Sequence, residues 1–215
     1  MLATKAQLQE LVDWFCQQRR LSYNKGEFIV RPGEAPPGIF YIEDGLVKAY
    51  DITKYGEENL LIIRKSGEML ALTWAVTGED RHIVYQALAP TTVRQVSRED
   101  FVKYTHDHPE IALPIIDMIT EMYRLHSQRI LNLEYRTVRE RLISFLLSTA
   151  GRFGQKVPDG ILLNVPLRHQ DIASSINSSR ETTSREMAYL ERKGLVKNEQ
   201  LFITLKDLDS LRQYL

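Results

Sequence analysis

The spacing of apolar residues changes along the chain, and each change marks a different kind of element. Between Ala6 and Arg19, the residues Leu8, Leu11, Val12 and Phe15 recur at helical intervals, which predicts a short amphipathic helix. From Leu21 to Val96 the pattern shortens. Phe28 to Val30, Ile39 to Ile42, Leu46 to Tyr50, Leu60 to Ile63 and Ile83 to Leu88 are brief runs rich in β-branched and aromatic residues. Turn signals separate them: Lys25-Gly26-Glu27, Arg31-Pro32-Gly33-Glu34, Pro36-Pro37-Gly38, Asp44-Gly45 and Tyr55-Gly56-Glu57. Many short strands at close spacing predict a sandwich or jelly roll.

After a polar stretch ending at His108-Pro109, a long helical pattern begins near Glu110. Ile111, Ile115, Met118, Met122, Leu125, Arg129 and Asn132 alternate by four and three, which is the seam of a coiled coil with a polar end. Ile115, Met118, Met122 and Leu125 are therefore assigned to a homodimer interface. Ile116, Ile119, Tyr123, His126, Ile130 and Leu133 make a second stripe beside the first. Two adjacent stripes need two partners, namely the roll of the same chain and the same helix of a second copy. Pro114 falls in the first turn, where proline is tolerated. The phase changes between Glu134 and Thr137, which marks a hinge. Val138, Leu142, Phe145, Leu146 and Thr149 then begin another helix, ended by Gly151 to Gly154. A turn at Pro158-Asp159-Gly160 leads to a short strand, Ile161 to Val165.

Asp171 to Val196 has the pattern of a helix-turn-helix. Ala173 is small enough to let a second helix cross closely, and Asn177 tolerates the left-handed backbone that a sharp turn needs. Ile176 can plug the corner. Ser178 or Ser179 supplies an N-cap oxygen, and Gly194 follows the helix end at Lys193. Thr183, Met187 and Leu190 share an inward stripe. Arg180, Glu181, Ser184 and Arg185 fall on a different arc, roughly 140° wide at about 100° per residue. Arginine can pair with guanine O6 and N7, and glutamate can accept from cytosine N4. Ser179, Arg168 and His169 join them as candidate DNA contacts. An ordinary amphipathic helix would also have a solvated polar face. It would not require the small residue, the turn residue, the cap and the base-reading side chains in register. Leu195 to Lys197 and Leu201 to Ile203 form a hairpin around Asn198-Glu199-Gln200, the wing, and Thr204 can cap a last helix carrying Leu205, Leu208, Leu211 and Leu215.

The fold class expected is α+β: an N-terminal jelly-roll β-roll at 1–109, a dimerisation helix and hinge at 110–136, and a winged helix-turn-helix at 137–215. Composition adjusts this picture only slightly. The chain of 215 residues is 43% apolar, enough for two small cores, and carries a formal net charge of zero. The charge is uneven, about +3 from Thr137 onward and about −3 before it. Cys16 is the single cysteine, which excludes an internal disulfide and an iron–sulfur cluster. The five histidines show no metal-ligand spacing, so no metal site is expected. No apolar run approaches the ~20 residues of a membrane span, and the first residues lack a signal pattern, so a cytoplasmic protein is expected. No nucleophile–base pair, paired carboxylates or phosphate-cradling loop argues for an enzyme.

Ser179-Arg180-Glu181-Thr182 followed by Arg185 resembles the recognition helix of the Crp/Fnr family, the bacterial regulators related to the cyclic-AMP receptor protein and the fumarate-nitrate regulator. Glu181-Thr182-Thr183-Ser184-Arg185 fits the fumarate-nitrate branch as well. Upstream, the order Gly26-Glu27, Gly33-Glu34, Phe40-Tyr41-Ile42, Gly45, Gly56 and Gly67-Glu68 is similar to the family's cyclic-nucleotide-binding roll. Leu167 departs from the Thr or Ser that usually caps the first helix of the motif. The resemblance implies a homodimeric regulator that binds an inverted repeat with TGA in each half, works with RNA polymerase, and is switched allosterically by a small molecule. The alternative is a cyclic-nucleotide-binding module that does not read DNA. The resemblance also places Gly67 and Glu68 at a ribose, Arg81 and His82 at a phosphate, and Ser127 near a base. Leu70 stands where a Gly is expected and His82 where Ser would be, and the Gly67 to Arg81 interval is longer than in the cyclic-AMP branch. Cyclic AMP is therefore not the expected effector.

Overall fold

The computed structural model describes residues 2–215. In chain order the elements are α1 (Lys5–Cys16), β1 (Arg19–Tyr23), β2 (Phe28–Val30), β3 (Ile39–Asp44), β4 (Leu46–Ile52), β5 (Glu58–Lys65) and β6 (Met69–Leu70). Then come α2 (Leu72–Thr77), β7 (Val84–Ala87), β8 (Thr91–Val96), α3 (Arg98–Asp107), a 3-10 turn at Pro109–Ile111 and α4 (Ala112–Tyr135). The remainder is α5 (Val138–Phe153), β9 (Gly154–Val157), β10 (Gly160–Leu163), α6 (His169–Ser175), α7 (Arg180–Arg192), β11 (Val196–Glu199), β12 (Phe202–Leu205) and α8 (Leu208–Arg212). The chain forms two compact units. One contains the residues up to Glu57 with Leu61–Leu125, and the other contains Glu58–Leu60 with His126–Leu215.

The first unit holds two four-stranded sheets, ordered β1-β8-β3-β6 and β2-β7-β4-β5. β3 shows why they pack as a roll. Successive side chains of a strand point to opposite faces, and here both faces are covered. Phe40 and Ile42 join Ile29, Val30, Val47, Leu70 and Val93 in one core. Ile39 and Tyr41 join Leu11, Phe15, Phe101, Ile111 and Ile115 in another, under the helices. Gly45 carries the β3–β4 turn at φ +109°, and a Cβ there would lie 2.5 Å from Thr91 Oγ1 and 2.7 Å from the Pro90 carbonyl. Only glycine fits both demands.

The helices differ from expectation in several places. α1 is started by a capping box of Thr4 and Gln7 and stops at Cys16, because Arg19 already pairs with Gln95 in β8. β1 and α3 were not expected from the pattern. α3 is started by Ser97, whose hydroxyl accepts from the Asp100 N–H, and it buries only Phe101.

On α4 the stripe assigned to a dimer interface makes contacts to the roll, and the other stripe lies open. Ile115 is 8% exposed and belongs to the core under the roll, with Met118 packed against it. Met122 receives a 2.8 Å contact from Arg64 Nη2 of β5, and Leu125 is half-buried. Ile116 (44% exposed), Tyr123 (72%) and Ile130 (62%) lie open on the other stripe, with Ile119 beside them. Ile115, Met118 and Met122 thus face inward, with Leu125 in the same row. Four–three spacing defines a face without saying which neighbour it meets.

In the second unit, α5 is started by a capping box of Thr137 and Glu140. It runs through Gly151 and ends only at Gly154. The wing sheet has the order β11-β12-β10-β9. Thr204 lies inside β12, pairing with Lys197 and Leu162, and Asp207 caps α8 in its place. Arg129, the polar end of the expected seam, donates from Nε to the Ser175 carbonyl at the end of α6, 2.9 Å away. A cation at a helix C-terminus meets unpaired carbonyls there. Asn132 donates to the buried Ser144 hydroxyl of α5 at 2.8 Å.

Candidate nucleic-acid interface

α6 and α7 form the helix-turn-helix. α6 ends at Ile176, which is buried at the corner, and Asn177 takes φ +50°. The Ser178 N–H then donates to the Ala173 carbonyl at 2.9 Å and closes the turn. Ser179 is the N-cap of α7, its hydroxyl accepting from the Thr182 N–H at 3.1 Å. Ser178 does not fill that role. Gly194 follows the helix with φ +70°. At the start of α6 the cap position is Arg168, one residue beyond the expected Leu167, which is buried. A guanidinium has no acceptor, so the capping there is one-sided: the Asp171 carboxylate accepts from the Arg168 N–H at 3.0 Å.

Thr183, Met187 and Leu190 are buried and fix the roll of α7 about its axis. Arg139 of α5 adds a side contact, ion-paired with Glu186 at 2.6 Å and stacked 3.7 Å over the Tyr189 ring. With the inner stripe held, Ser179, Arg180, Glu181 and Arg185 are exposed in the first two turns. Arg185 donates to Thr182 Oγ1 at 3.2 Å. Hydrogen bonds from its own backbone N–H and from Ser179 hold the Glu181 carboxyl below the usual range, with Arg180 and Arg185 adding to the effect. The face therefore presents two cations around an ionised carboxylate. Ser184 is only half-exposed, and its hydroxyl lies 2.8 Å from His169 Nδ1. His169 Nε2 lies 2.9 Å from Asn198 Nδ2 in the wing. This link spans 29 residues of chain and has no local signature in the sequence.

The chain matches two family models: the cyclic nucleotide-binding domain over residues 20–108 and the Crp-like helix-turn-helix domain over residues 140–214. The chain belongs to the Crp/Fnr family. Among its relatives, the global nitrogen regulator of Synechocystis sp. is 27% identical over 89% of this chain and 86% of its own length. The transcriptional activator protein anr of Pseudomonas aeruginosa is 25% identical over 81% and 71%. A solved CooA variant from Carboxydothermus hydrogenoformans shares the fold, with a TM-score of 0.78, 24% identity and coverage of 99% of this chain and 97% of that one. This Crp/Fnr chain is a DNA-binding transcription regulator. The alternative of a nucleotide-binding module that does not read DNA is not favoured.

The residues matched to the family's ligand cassette lie in the roll and on α4. Gly67 takes φ +87° and its N–H donates to the Ile42 carbonyl, so Gly67-Glu68 is a turn against β3. The Glu68 carboxylate is 3.4 Å from Arg64 Nη1. Ala71 is buried at φ +61° and donates its N–H to Tyr85 Oη at 3.2 Å. Arg81 and His82 are exposed. His82 takes φ +54°, with its ring 3.3 Å from Asp80. Ser127 is half-buried on α4. Outside these places, Glu10, His108 and Glu110 bring their ligand atoms within 4.8 Å of one another. His108 stacks on Tyr104 and lies 2.9 Å from Glu110, so the group is accounted for as a surface ion-pair cluster. It joins α1 to the 3-10 turn, which is why spacing in sequence did not find it. Among the described residues, no helix is long and apolar enough to cross a membrane.

Proposed function

We propose that the protein acts as a homodimer on an inverted-repeat operator. Its segments would be a sensor roll at 1–109, a dimerisation helix and hinge at 110–136, and the DNA-binding domain at 137–215. The observation that carries this reading is the orientation of α7. Its inner stripe is locked by packing, which leaves Arg180, Glu181 and Arg185 together at the end that enters a major groove. Ser179 and Arg168, exposed beside that end, suit phosphate contacts. The open stripe Ile116, Ile119, Tyr123 and Ile130 is the surface for the second copy, because a row of large apolar side chains facing water is relieved by self-association. A two-fold axis along that stripe makes the operator palindromic, with half-site centres about 34 Å apart. TGA is the half-site core expected from the likeness to both branches. RNA polymerase is the protein partner on the promoter, and a small molecule other than cyclic AMP is the signal read by the roll. Selection from random duplex DNA tests the reading. The expected product is an inverted repeat containing TGA; enrichment of non-palindromic sites would overturn it.

A further inference from the structure

His169 was expected among the DNA contacts, but both of its ring nitrogens are occupied by protein groups: Ser184 Oγ at 2.8 Å and Asn198 Nδ2 at 2.9 Å. We propose that His169 is a positioning residue, which holds the Ser184 hydroxyl as a hydrogen-bond donor toward DNA and thereby sets base preference at one position of each half-site. The inference rests on the reading of α7 as the recognition helix.

A neutral imidazole has one donor nitrogen and one acceptor nitrogen. An amide nitrogen can only donate, so Asn198 Nδ2 makes Nε2 the acceptor and leaves the ring proton on Nδ1. That proton is donated to Ser184 Oγ. The hydroxyl's own hydrogen must then point away from the ring. Asn198 is itself anchored, since its backbone N–H donates to Glu191 Oε1 of α7 at 2.8 Å. The tautomer is therefore set by the wing and read out on α7.

Ser184 follows Arg180 by one turn and adjoins Arg185, which puts its hydroxyl group at the edge of the base-reading face. A lone serine can donate or accept, and it distinguishes little. A serine already accepting from His169 presents a donor preferentially. In the major groove, guanine offers N7 and O6, adenine N7, and thymine O4, whereas cytosine offers only an amino donor. Cytosine is the base this arrangement disfavours.

The test is selection and competition binding on duplex DNA with the full chain. Wild type should discriminate against cytosine at one position per half-site, and Ser184→Ala should lose that discrimination roughly five- to tenfold, the worth of one hydrogen bond. His169→Ala should match it, and the double variant should be no worse than either single one, because both remove the same interaction. His169→Asn, whose amide can replace the Nδ1 side of the ring, should retain the preference. His169→Gln, which reaches toward Asn198 instead, should lose it. Thermal melting of each variant confirms folding. If His169→Ala weakens all sequences equally and lowers the salt dependence, the imidazole is a phosphate contact and the inference is overturned. An unchanged base preference with only a lower melting temperature overturns it too. If wild type shows no specific binding, the reading of α7 fails and takes the inference with it. If wild type binds specifically and His169→Ala keeps the discrimination, the inference alone fails.

Discussion

Glu43 sits between two guanidinium groups, with Arg20 Nη2 at 3.1 Å and Arg94 Nε at 2.7 Å. Arg20, and after it Arg94, hold its carboxyl below the usual range, against burial that pushes it up. Arg94 also donates to the carbonyls of Cys16 and Gln18, so the cluster ties the end of α1 to the first sheet. A carboxyl depressed in the folded state stabilises above its unfolded pKa, near 4.3, and that stabilisation is lost as pH falls through the lower folded value. Glu43→Gln should therefore destabilise the first unit at pH 7, by under about 1 kcal/mol for so exposed a pair, read as a lower melting temperature. The two proteins should converge as pH falls through the lowered folded value. A difference that persists in acid would show that the carboxylate's charge is not the cause. At the DNA face, Arg185→Ala should cost roughly 1–3 kcal/mol and relax selection at a guanine, as read by the selected sequence logo.

At the scale of elements, α4 offers the sharpest contrast. Ile119→Glu places like charges opposite one another in the proposed two-fold seam. Sedimentation at micromolar concentration should show monomer where wild type shows dimer. Met118→Ala, on the inward stripe, should instead leave the dimer intact and destabilise the first unit by about 2 kcal/mol or more, the usual cost of a core truncation. If Met118→Ala dissociates the dimer and Ile119→Glu does not, the assignment of faces is reversed. Periodicity made the helix and both stripes legible but not their neighbours, because a face is chosen by tertiary packing. The same limit applies elsewhere. Strands β2, β3, β4 and β5 were visible through runs of β-branched and aromatic residues. β1, an edge strand, was not, since Arg19, Arg20 and Ser22 leave it only two apolar residues. α3 escaped because one buried phenylalanine in ten residues gives no stripe. The helix-turn-helix was legible because its turn, caps and inner stripe are local, whereas the His169, Ser184 and Asn198 link joins three elements and appears only in three dimensions.

For the molecule as a whole, the question is what the roll senses. The fold is that of a cyclic-nucleotide-binding domain, but a fold does not fix its ligand. Cyclic AMP would need a carboxylate free to accept from the ribose and a compact donor set for the phosphate. Here Glu68 is already engaged by Arg64, and Arg64 also contacts Met122 of α4. Releasing Glu68 would leave a mostly buried guanidinium short of its anion. On the phosphate side, Arg81 is exposed, and His82 presents a bulky ring turned to Asp80 in place of a small hydroxyl. Leu70 is fully buried in the inter-sheet core, where the family's cassette has a glycine. Each unmet hydrogen bond costs about 1–3 kcal/mol, so two losses weaken binding on the order of a hundredfold or more. Isothermal titration with cyclic AMP and cyclic GMP should give no micromolar dissociation constant, and neither nucleotide should sharpen operator binding in a gel shift. A micromolar constant that disappears in Arg81→Ala would show that the cassette rearranges to hold the nucleotide, with Arg64 surrendering Glu68 to the ribose.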